Sequence, residues 1–335
     1  DLRTTLRDEP HHDSFGGLEA YDVTIIHAQP DPHFVGAYEV ADLAERSPKP
    51  YRIGYWYWEF DEVPAHWAER AATVDEVWAA TEFVTDALRK TLTVPVQTLF
   101  PGVRLAPFRV RPREAFGVPG WSEGRFTFLF SFHMSSIMER KNPLGLIRAF
   151  RQAFDPSEPV DLILKTTTNG YEGSEVGELL QAIEGANIHI IDQTFTADET
   201  LSLTEACDAY VSLHRSEGLG LTMAEAMMLG KPVIATRYSG NLDFMTDENS
   251  LLVDCDIVEL GRDIPPYEAS YHWAEPSTDH AARLMRGLYD NPARAAALGE
   301  RAKADAKDHL SVEAASVRIL ERLKAIKADR SSHSV

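Results

Sequence analysis

The stretch AYVSLHRSEGLGLTMAEAM, residues 209–227, predicts a buried strand, a turn and a helix in succession. Its first five residues, Ala209 to Leu213, are almost wholly apolar and favour a strand. The turn that follows contains Gly218 and Gly220, which let backbone N–H groups approach an anion or a sugar at the start of the helix. Similar alternation of strand and helix patterns runs through most of the chain. We therefore predict an α/β fold with parallel sheets.

The second half of the chain repeats this unit several times. Asn142-Pro143 predicts a helix start, with an N-cap followed by a first-turn proline. Residues 277–326 read as helical, with breaks near Asn291-Pro292 and Leu310-Ser311. The remaining predicted strands of this half are residues 126–130, 162–165, 188–191, 233–235 and 251–253.

The first third shows the same alternation, and a break separates it from the rest. Its predicted strands are residues 22–27, 51–58, 75–79 and 96–100, with a helix over 82–92. Residues 104–122 contain several prolines and glycines, which indicates a linker. We predict two doubly wound domains facing a central cleft, with ligands at the carboxyl ends of the strands. The predicted limits are 1–103, the linker 104–122, 123–310, and a C-terminal helix with its tail over 311–335, packing back toward the first domain.

The composition of the chain narrows the classes of function that it can have. A length of 335 residues suits two domains. The 33 Lys and Arg against 52 Asp and Glu give a formal net charge of −19, which argues against nucleic-acid binding and against broad docking on anionic lipid. No apolar run reaches the length of a membrane span, and two cysteines form no disulfide framework. We expect a cytoplasmic protein, at most peripheral at the inner face of the membrane.

Two carboxylates mark the glycine-containing turn as a candidate site. Glu217 lies in the turn and Glu225 in the helix, so both side chains can line one pocket from different heights. Two other interpretations stay open on these residues alone. The glycines resemble a truncated dinucleotide fingerprint with Arg237 as its cation, and the carboxylates also suit a solvated helix start.

A second candidate site lies between the predicted strand 126–130 and the helix that follows it. Ser135 and Ser136 supply hydroxyls, and Arg140 and Lys141 supply adjacent cations just before a helix start. Such a set suits a diphosphate, although a solvated basic turn has the same composition. The two sites follow strands of one predicted sheet, which suggests a single ligand containing phosphates and a sugar.

Together these motifs resemble the family-4-type (group 1) retaining glycosyltransferases of the GT-B architecture, which has two Rossmann-like domains. The resemblance implies transfer of a sugar from a nucleotide diphosphate sugar to a hydroxyl acceptor, with retention of anomeric configuration. The acceptor would be a glycan, a lipid-linked glycan or a small-molecule glycoside, and no metal or other cofactor is expected. The matching residues are the Glu217-x7-Glu225 motif, Gly230–Thr236, Ser239–Asn241, Glu139–Pro143, Ile53–Glu59 and Trp273–Pro276.

The resemblance also implies roles for individual residues on the donor side. Glu217 would contact the hydroxyls of the donor sugar, and Glu225 those of the ribose. Arg140 and Lys141 would clamp the diphosphate. The remaining donor-side candidates are Ser135 and Thr222 for phosphate, the backbone of Gly218, Leu219 and Gly220 for the sugar, and Lys165 and Thr166 for the nucleotide.

Three candidates come from the predicted first domain. His27 ends a strand where similar enzymes place a catalytic-site histidine that faces the donor sugar. Trp58 and Glu59 end the next predicted strand and are candidates for the acceptor side. Aromatic core packing is the alternative for Trp58.

The sequence departs from the family pattern at two points. The usual glycine-arginine pair before the lysine is replaced by Phe132–Ser136, which puts the second cation in doubt. Relatives begin with a strand, a glycine-rich loop and a helix, whereas residues 1–21 are polar and irregular. We expect that this chain lacks the first β-α unit of the family.

Parts of the sequence also fit other sites and other functions. Asp254-Cys-Asp256 resembles a metal-binding motif but follows the predicted strand 251–253, where the family has a loop, so we predict no metal. The alternative functions are a non-catalytic nucleotide-sugar-binding module, an epimerase or a phosphorylase of the same fold, and a glycoside hydrolase using Glu217 and Glu225. A dinucleotide-dependent oxidoreductase is the weakest alternative.

Overall fold

The computed structural model describes residues 22–30, 49–168 and 173–332. They divide into two compact units, one ending at Phe100 and the other beginning at Pro101. This division lies close to the predicted limit at residue 103. The expectation of a missing first β-α unit concerns residues 1–21, which lie outside the described residues.

The first unit contains a parallel sheet whose described strands follow one another in chain order, β1-β2-β3-β4. Its core includes the fully buried rings of Trp56 and Trp78. Thr81 caps the second helix by accepting a hydrogen bond from the Val84 N–H at 3.4 Å. The elements are β1 (Val23–Ile26), β2 (Tyr51–Trp56), α1 (Trp67–Ala71), β3 (Glu76–Ala79), α2 (Glu82–Arg89) and β4 (Val96–Thr98).

The second unit is built on a six-stranded parallel sheet. Its strands are β5 (Phe126–Ser131), β6 (Val160–Thr166), β7 (Ile188–Asp192), β8 (Ala209–Ser212), β9 (Val233–Thr236) and β10 (Leu251–Val253). The order across the sheet is β10-β9-β8-β5-β6-β7.

This order reverses between β5 and β8. It is the strand order of dinucleotide-binding sheets, in which ligands bind outside the carboxyl ends of the strands at the point of reversal. Two residue pairs, Phe128 with Ala209 and Leu129 with Tyr210, join β5 to β8. By contrast, β5 is aligned with β6 from Phe126 to Ser131. The chain beyond β5 and the chain beyond β8 therefore form the two sides of the expected ligand crevice.

Helices flank this sheet and end the chain. The predicted start at Asn142-Pro143 and the breaks near residues 291 and 310 match the observed helix limits. The helices are α3 (Met138–Lys141), α4 (Pro143–Ala153), α5 (Ser174–Ile183), α6 (Ala197–Ala206), α7 (Leu221–Met228), α8 (Thr278–Asp290), α9 (Pro292–Leu310) and α10 (Val312–Ser332). None of the helices in the described ranges is long and apolar enough to cross a membrane.

The stretch predicted as a linker, residues 104–122, belongs to the second unit. Arg111 forms ion pairs with Asp198 at 3.1 Å and Glu199 at 3.0 Å, both on α6. Arg113 is buried and donates to the Ala206 carbonyl at 2.9 Å. These contacts fasten the stretch to α6.

A small antiparallel pair of strands lies outside the main sheet. β11 (Cys255–Glu259) pairs with β12 (His272–Pro276). The expectation of a loop at Asp254–Asp256 is therefore wrong, because Cys255 and Asp256 open β11. The strand is largely exposed and carries acidic residues, so its composition did not indicate a strand.

Candidate functional site

Glu217 forms ion pairs with two cations across the crevice between β5 and β8. Its Oε2 lies 3.4 Å from Nη1 of Arg140, and its Oε1 accepts a hydrogen bond from Nζ of Lys141. Arg140 is 4% exposed and also donates to the Ser216 carbonyl at 2.8 Å. The structure thus brings together two predicted motifs that follow different strands in the sequence.

The electrostatics of this cluster fix the charge of Glu217. Burial alone would raise the pKa of its carboxyl, but the charges of Lys141 and Arg140 outweigh that effect and lower the pKa to about 2. Glu217 is therefore ionised at neutral pH. It can accept hydrogen bonds from hydroxyl groups but has no proton to donate.

The two cations lie on α3, a helix of four residues. The residues on either side of it have unusual backbone conformations. Ile137 before it has φ 63° and Asn142 after it has φ 55°, both in a region that non-glycine residues rarely occupy. The Asn142 side chain accepts from the Gly145 N–H at 3.1 Å and donates to the Leu213 carbonyl at 2.9 Å. Asn142 thus caps α4 and fastens the end of α3 to the chain that follows β8.

Arg215 is a second residue that holds α3 in place, and it was not among the residues predicted from the sequence. Its backbone N–H donates to the Arg140 carbonyl at 2.8 Å, and its Nη1 donates to the Glu139 carbonyl at 2.6 Å. Its Nε donates to Glu275 at 2.8 Å, and its guanidinium lies 5.0 Å from the ring centre of Trp273. The position of Trp273 and Glu275 within a family motif was the available signal.

The glycine-containing turn leads into α7 as predicted. Gly220 has φ 83° and is the N-cap of the helix. Thr222 and Glu225 are half-buried, and burial raises the pKa of Glu225. The hydroxyl of Tyr210, a buried residue of β8, donates to the Ser131 carbonyl at 3.3 Å. The role of Thr222 in binding phosphate stays a prediction.

The other donor-side candidates lie after β5 and in the last two residues of β6. Ser135 is exposed, with its Oγ 2.7 Å from Nδ1 of His133. Lys165 donates to the Thr167 hydroxyl at 3.1 Å, and burial lowers its pKa. The Thr166 hydroxyl is buried and has no hydrogen-bond partner among residues 22–30, 49–168 and 173–332. Their roles in binding a nucleotide stay predictions.

The three candidate residues of the first unit differ in their exposure and contacts. His27 is exposed and contacts the rings of Tyr55 and Tyr57, with centroid distances of 5.3 and 5.4 Å. Trp58 is 6% exposed and packs edge-on against Trp67 at 4.9 Å, which is the core packing given above as its alternative. Glu59 is half-buried. The proposed catalytic and acceptor roles of these residues stay predictions.

Arg237, the cation of the dinucleotide alternative, is paired with Asp247 at 2.9 and 2.5 Å. The Asp254 carboxylate lies 3.7 Å from it. Within the part of the chain that the structure describes, no group of three or more His, Cys, Asp or Glu side chains is arranged to hold a metal ion.

Comparison with known proteins decides the family. The family model described as "Glycosyl transferases group 1" matches residues 119–305, more than half of the chain. The chain belongs to this family. The resemblance identified from the Glu217-x7-Glu225 region is thereby confirmed at the level of the family.

Curated relatives of this chain include two D-inositol 3-phosphate glycosyltransferases. The one from Arthrobacter sp. (strain FB24) is 29% identical over 211 residues. The one from Pseudarthrobacter chlorophenolicus is 29% identical over 210 residues. Each alignment covers 60% of this chain and 44% of the relative, so the chain spans less than half the length of these proteins.

Solved structures similar to this chain confirm the predicted GT-B fold. Anabaena HepE, solved with UDP and glucose, has a TM-score of 0.67 at 18% identity, covering 91% of this chain and 78% of HepE. Sucrose-phosphate synthase from Thermosynechococcus elongatus has a TM-score of 0.66 at 15% identity, covering 91% and 74%.

Proposed function

We propose that this group 1 glycosyltransferase transfers a sugar from a nucleoside diphosphate sugar to a hydroxyl acceptor. The observation that carries the proposal is the Glu217 carboxylate between Arg140 and Lys141, at the point of strand reversal. Carboxylate and cations together suit a ligand with both a diphosphate and a hydroxyl-rich ring. Family membership and the UDP and glucose bound by HepE support the same ligand class.

The cations suit the difficult step of such a reaction. As the bond between the anomeric carbon and the diphosphate oxygen breaks, negative charge builds up on the diphosphate. Arg140 and Lys141 supply positive charge from fixed positions, so a metal ion is not needed in our proposal. The acceptor oxygen bonds to the anomeric carbon on the face that the diphosphate leaves, and the departing phosphate oxygen takes the acceptor proton. This route retains the anomeric configuration.

Glu217 is assigned to binding the sugar in this proposal. With a pKa of about 2 it stays ionised, so it accepts hydrogen bonds from the sugar hydroxyls. A hydrolase in which Glu217 is the general acid would need the opposite protonation state at neutral pH. The Glu217 pKa therefore favours a binding role over that of proton donor.

Titration calorimetry tests the donor site. UDP, GDP, dTDP and NADP are titrated with a chelator present into wild type, Lys141→Met and the control Arg148→Met. Both variants lose one positive charge, but Arg148 is an exposed residue of α4. We expect one nucleoside diphosphate to bind and its affinity to fall at least about tenfold in Lys141→Met alone, because a charge-assisted contact is lost.

Three outcomes contradict the proposal: equal weakening in both variants, binding of NADP alone, or no binding of any nucleoside diphosphate. Release of nucleoside diphosphate from the matching nucleotide sugar then separates an enzyme from a binding module. The enzyme turns the donor over, faster when a hydroxyl acceptor is added, whereas the module binds it without turnover.

A further inference from the structure

Ser239 has a backbone conformation that ordinarily belongs to glycine. Its φ of 76° and ψ of −156° fall in a region that residues with a Cβ atom enter only at an energetic cost. The residue is 4% exposed and precedes the helical turn Gly240–Asp243. Surrounding contacts must maintain such a conformation. The contacts of the Ser239 side chain therefore indicate what the conformation does.

Ser239 and Gly240 together bind the backbone of Glu217. The Ser239 Oγ accepts a hydrogen bond from the Glu217 N–H at 2.9 Å, and the Gly240 N–H donates to the Glu217 carbonyl at 2.9 Å. The two segments lie so close that a Cβ atom on Gly240 would be 2.3 Å from the Gly218 carbonyl oxygen. Both backbone polar groups of Glu217 are thus held by this one turn.

The turn is itself fixed to the ends of two strands. The Asn241 side chain donates to the Thr236 carbonyl of β9 at 3.0 Å. Its Oδ1 lies 3.1 Å from Nε2 of His214, a fully buried residue whose Nδ1 lies 3.0 Å from the Ser212 hydroxyl of β8. The Ser239 hydroxyl is therefore a fixed point relative to the sheet.

We propose that Ser239 is a positioning residue for Glu217: its strained backbone directs the hydroxyl to the Glu217 N–H and so sets the carboxylate between Arg140 and Lys141. A glycine fits the backbone without strain but has no hydroxyl. An alanine keeps the Cβ and its strain and also lacks the hydroxyl. This proposal depends on the proposed function in one respect: it takes the donor sugar to be the ligand of Glu217.

The test compares Ser239→Gly and Ser239→Ala with the control Ser250→Ala. Ser250 is 1% exposed and its hydroxyl donates to the Thr246 carbonyl, so the control also removes a buried hydrogen bond. The first readout is the melting temperature. Because glycine relieves the strain, Ser239→Gly should melt about 2–4 °C above Ser239→Ala. Equal melting temperatures of Ser239→Gly and Ser239→Ala would show that the backbone of Ser239 is not strained.

The second readout is the titration of the Glu217 carboxyl between pH 7 and pH 4. It is followed by ¹³C NMR with labelled glutamate, and Glu217→Gln assigns the signal. In wild type and Ser250→Ala the signal stays constant, because the pKa of about 2 lies outside this range. In both Ser239 variants we expect the signal to titrate, with a midpoint at least about two pH units higher, since the carboxylate moves away from the cations. A constant signal in the Ser239 variants overturns the proposal.

UDP-glucose binding completes the experiment. We expect its affinity to fall about tenfold in both Ser239 variants and to stay unchanged in Ser250→Ala, because misplacing the carboxylate weakens its contacts with the sugar. If wild type binds UDP-glucose, equal affinity in wild type and the Ser239 variants overturns the positioning role. If wild type binds no nucleotide sugar, the proposed function fails, whereas the Glu217 titration still decides the role of Ser239.

Discussion

Replacing Glu217 by Gln tests the electrostatic account of the site directly. The substitution keeps the size of the side chain and removes its charge. In wild type the folded-state pKa of about 2 lies below the ordinary value of 4.5. A carboxyl with a lowered pKa stabilises the fold above its unfolded-state pKa, and this contribution is lost as the pH falls toward the folded-state pKa.

The magnitude follows from the size of the shift. At about 1.4 kcal/mol per pKa unit, a drop from 4.5 to about 2 contributes about 3 kcal/mol to the free energy of unfolding at pH 7. Glu217→Gln should be destabilised by about that amount, because Arg140 and Lys141 lose their shared counter-ion. The deficit should shrink by about 1.4 kcal/mol for each pH unit between 4.5 and 2.

Urea-induced unfolding, followed by tryptophan fluorescence at pH 7, 5.5 and 3.5, measures this deficit. The deficit should be equal at the two higher values and about 1.4 kcal/mol smaller at pH 3.5. Glu225→Gln is the matched control, since burial raises the pKa of Glu225 and its charge destabilises the fold. That variant should be more stable than wild type at pH 7. A Glu217→Gln deficit that is independent of pH refutes the reasoning.

Two further substitutions test the framework of the site. Gly240→Ala places a Cβ atom 2.3 Å from the Gly218 carbonyl oxygen, so the turn must shift; we expect a loss of about 1–3 kcal/mol in thermal unfolding, and an unchanged melting temperature would contradict the close approach. Arg215→Lys keeps the charge but loses the forked contacts to Glu139 and Glu275; we expect about tenfold weaker binding of the nucleoside diphosphate by calorimetry, and wild-type affinity would show that charge alone suffices.

Local patterns predicted most of the strands and helices. The helix start at Asn142-Pro143 and the breaks near residues 291 and 310 depend on capping residues and prolines, which act within one turn. Strand limits differ by a few residues, as at β2, which ends at Trp56 rather than Trp58. The short helix α3 and the pair β11–β12 escaped prediction, because contacts from distant parts of the chain maintain them.

The candidate site was predictable in its residue types but not in its supports. Glu217, Arg140 and Lys141 stand in motifs that the sequence displays, and the structure brings them together. Arg215 gave no local signal, since its partner Glu275 lies 60 residues away. Ser239 stood in a family motif without an assigned role, because a side-chain type does not reveal a backbone angle. Such supports depend on tertiary structure and are visible only there.

The order of the sheet also determines when the site can form during folding. Arg140 and Glu217 stand on either side of a chain segment that contains β6, β7 and their helices, and they approach one another only when β8 aligns beside β5. Closing so long a loop costs conformational entropy, and few contacts offset this cost until the central strands pair. Nucleotide affinity should therefore appear late in refolding, after most secondary structure has formed, and a binding signal would report completion of the sheet.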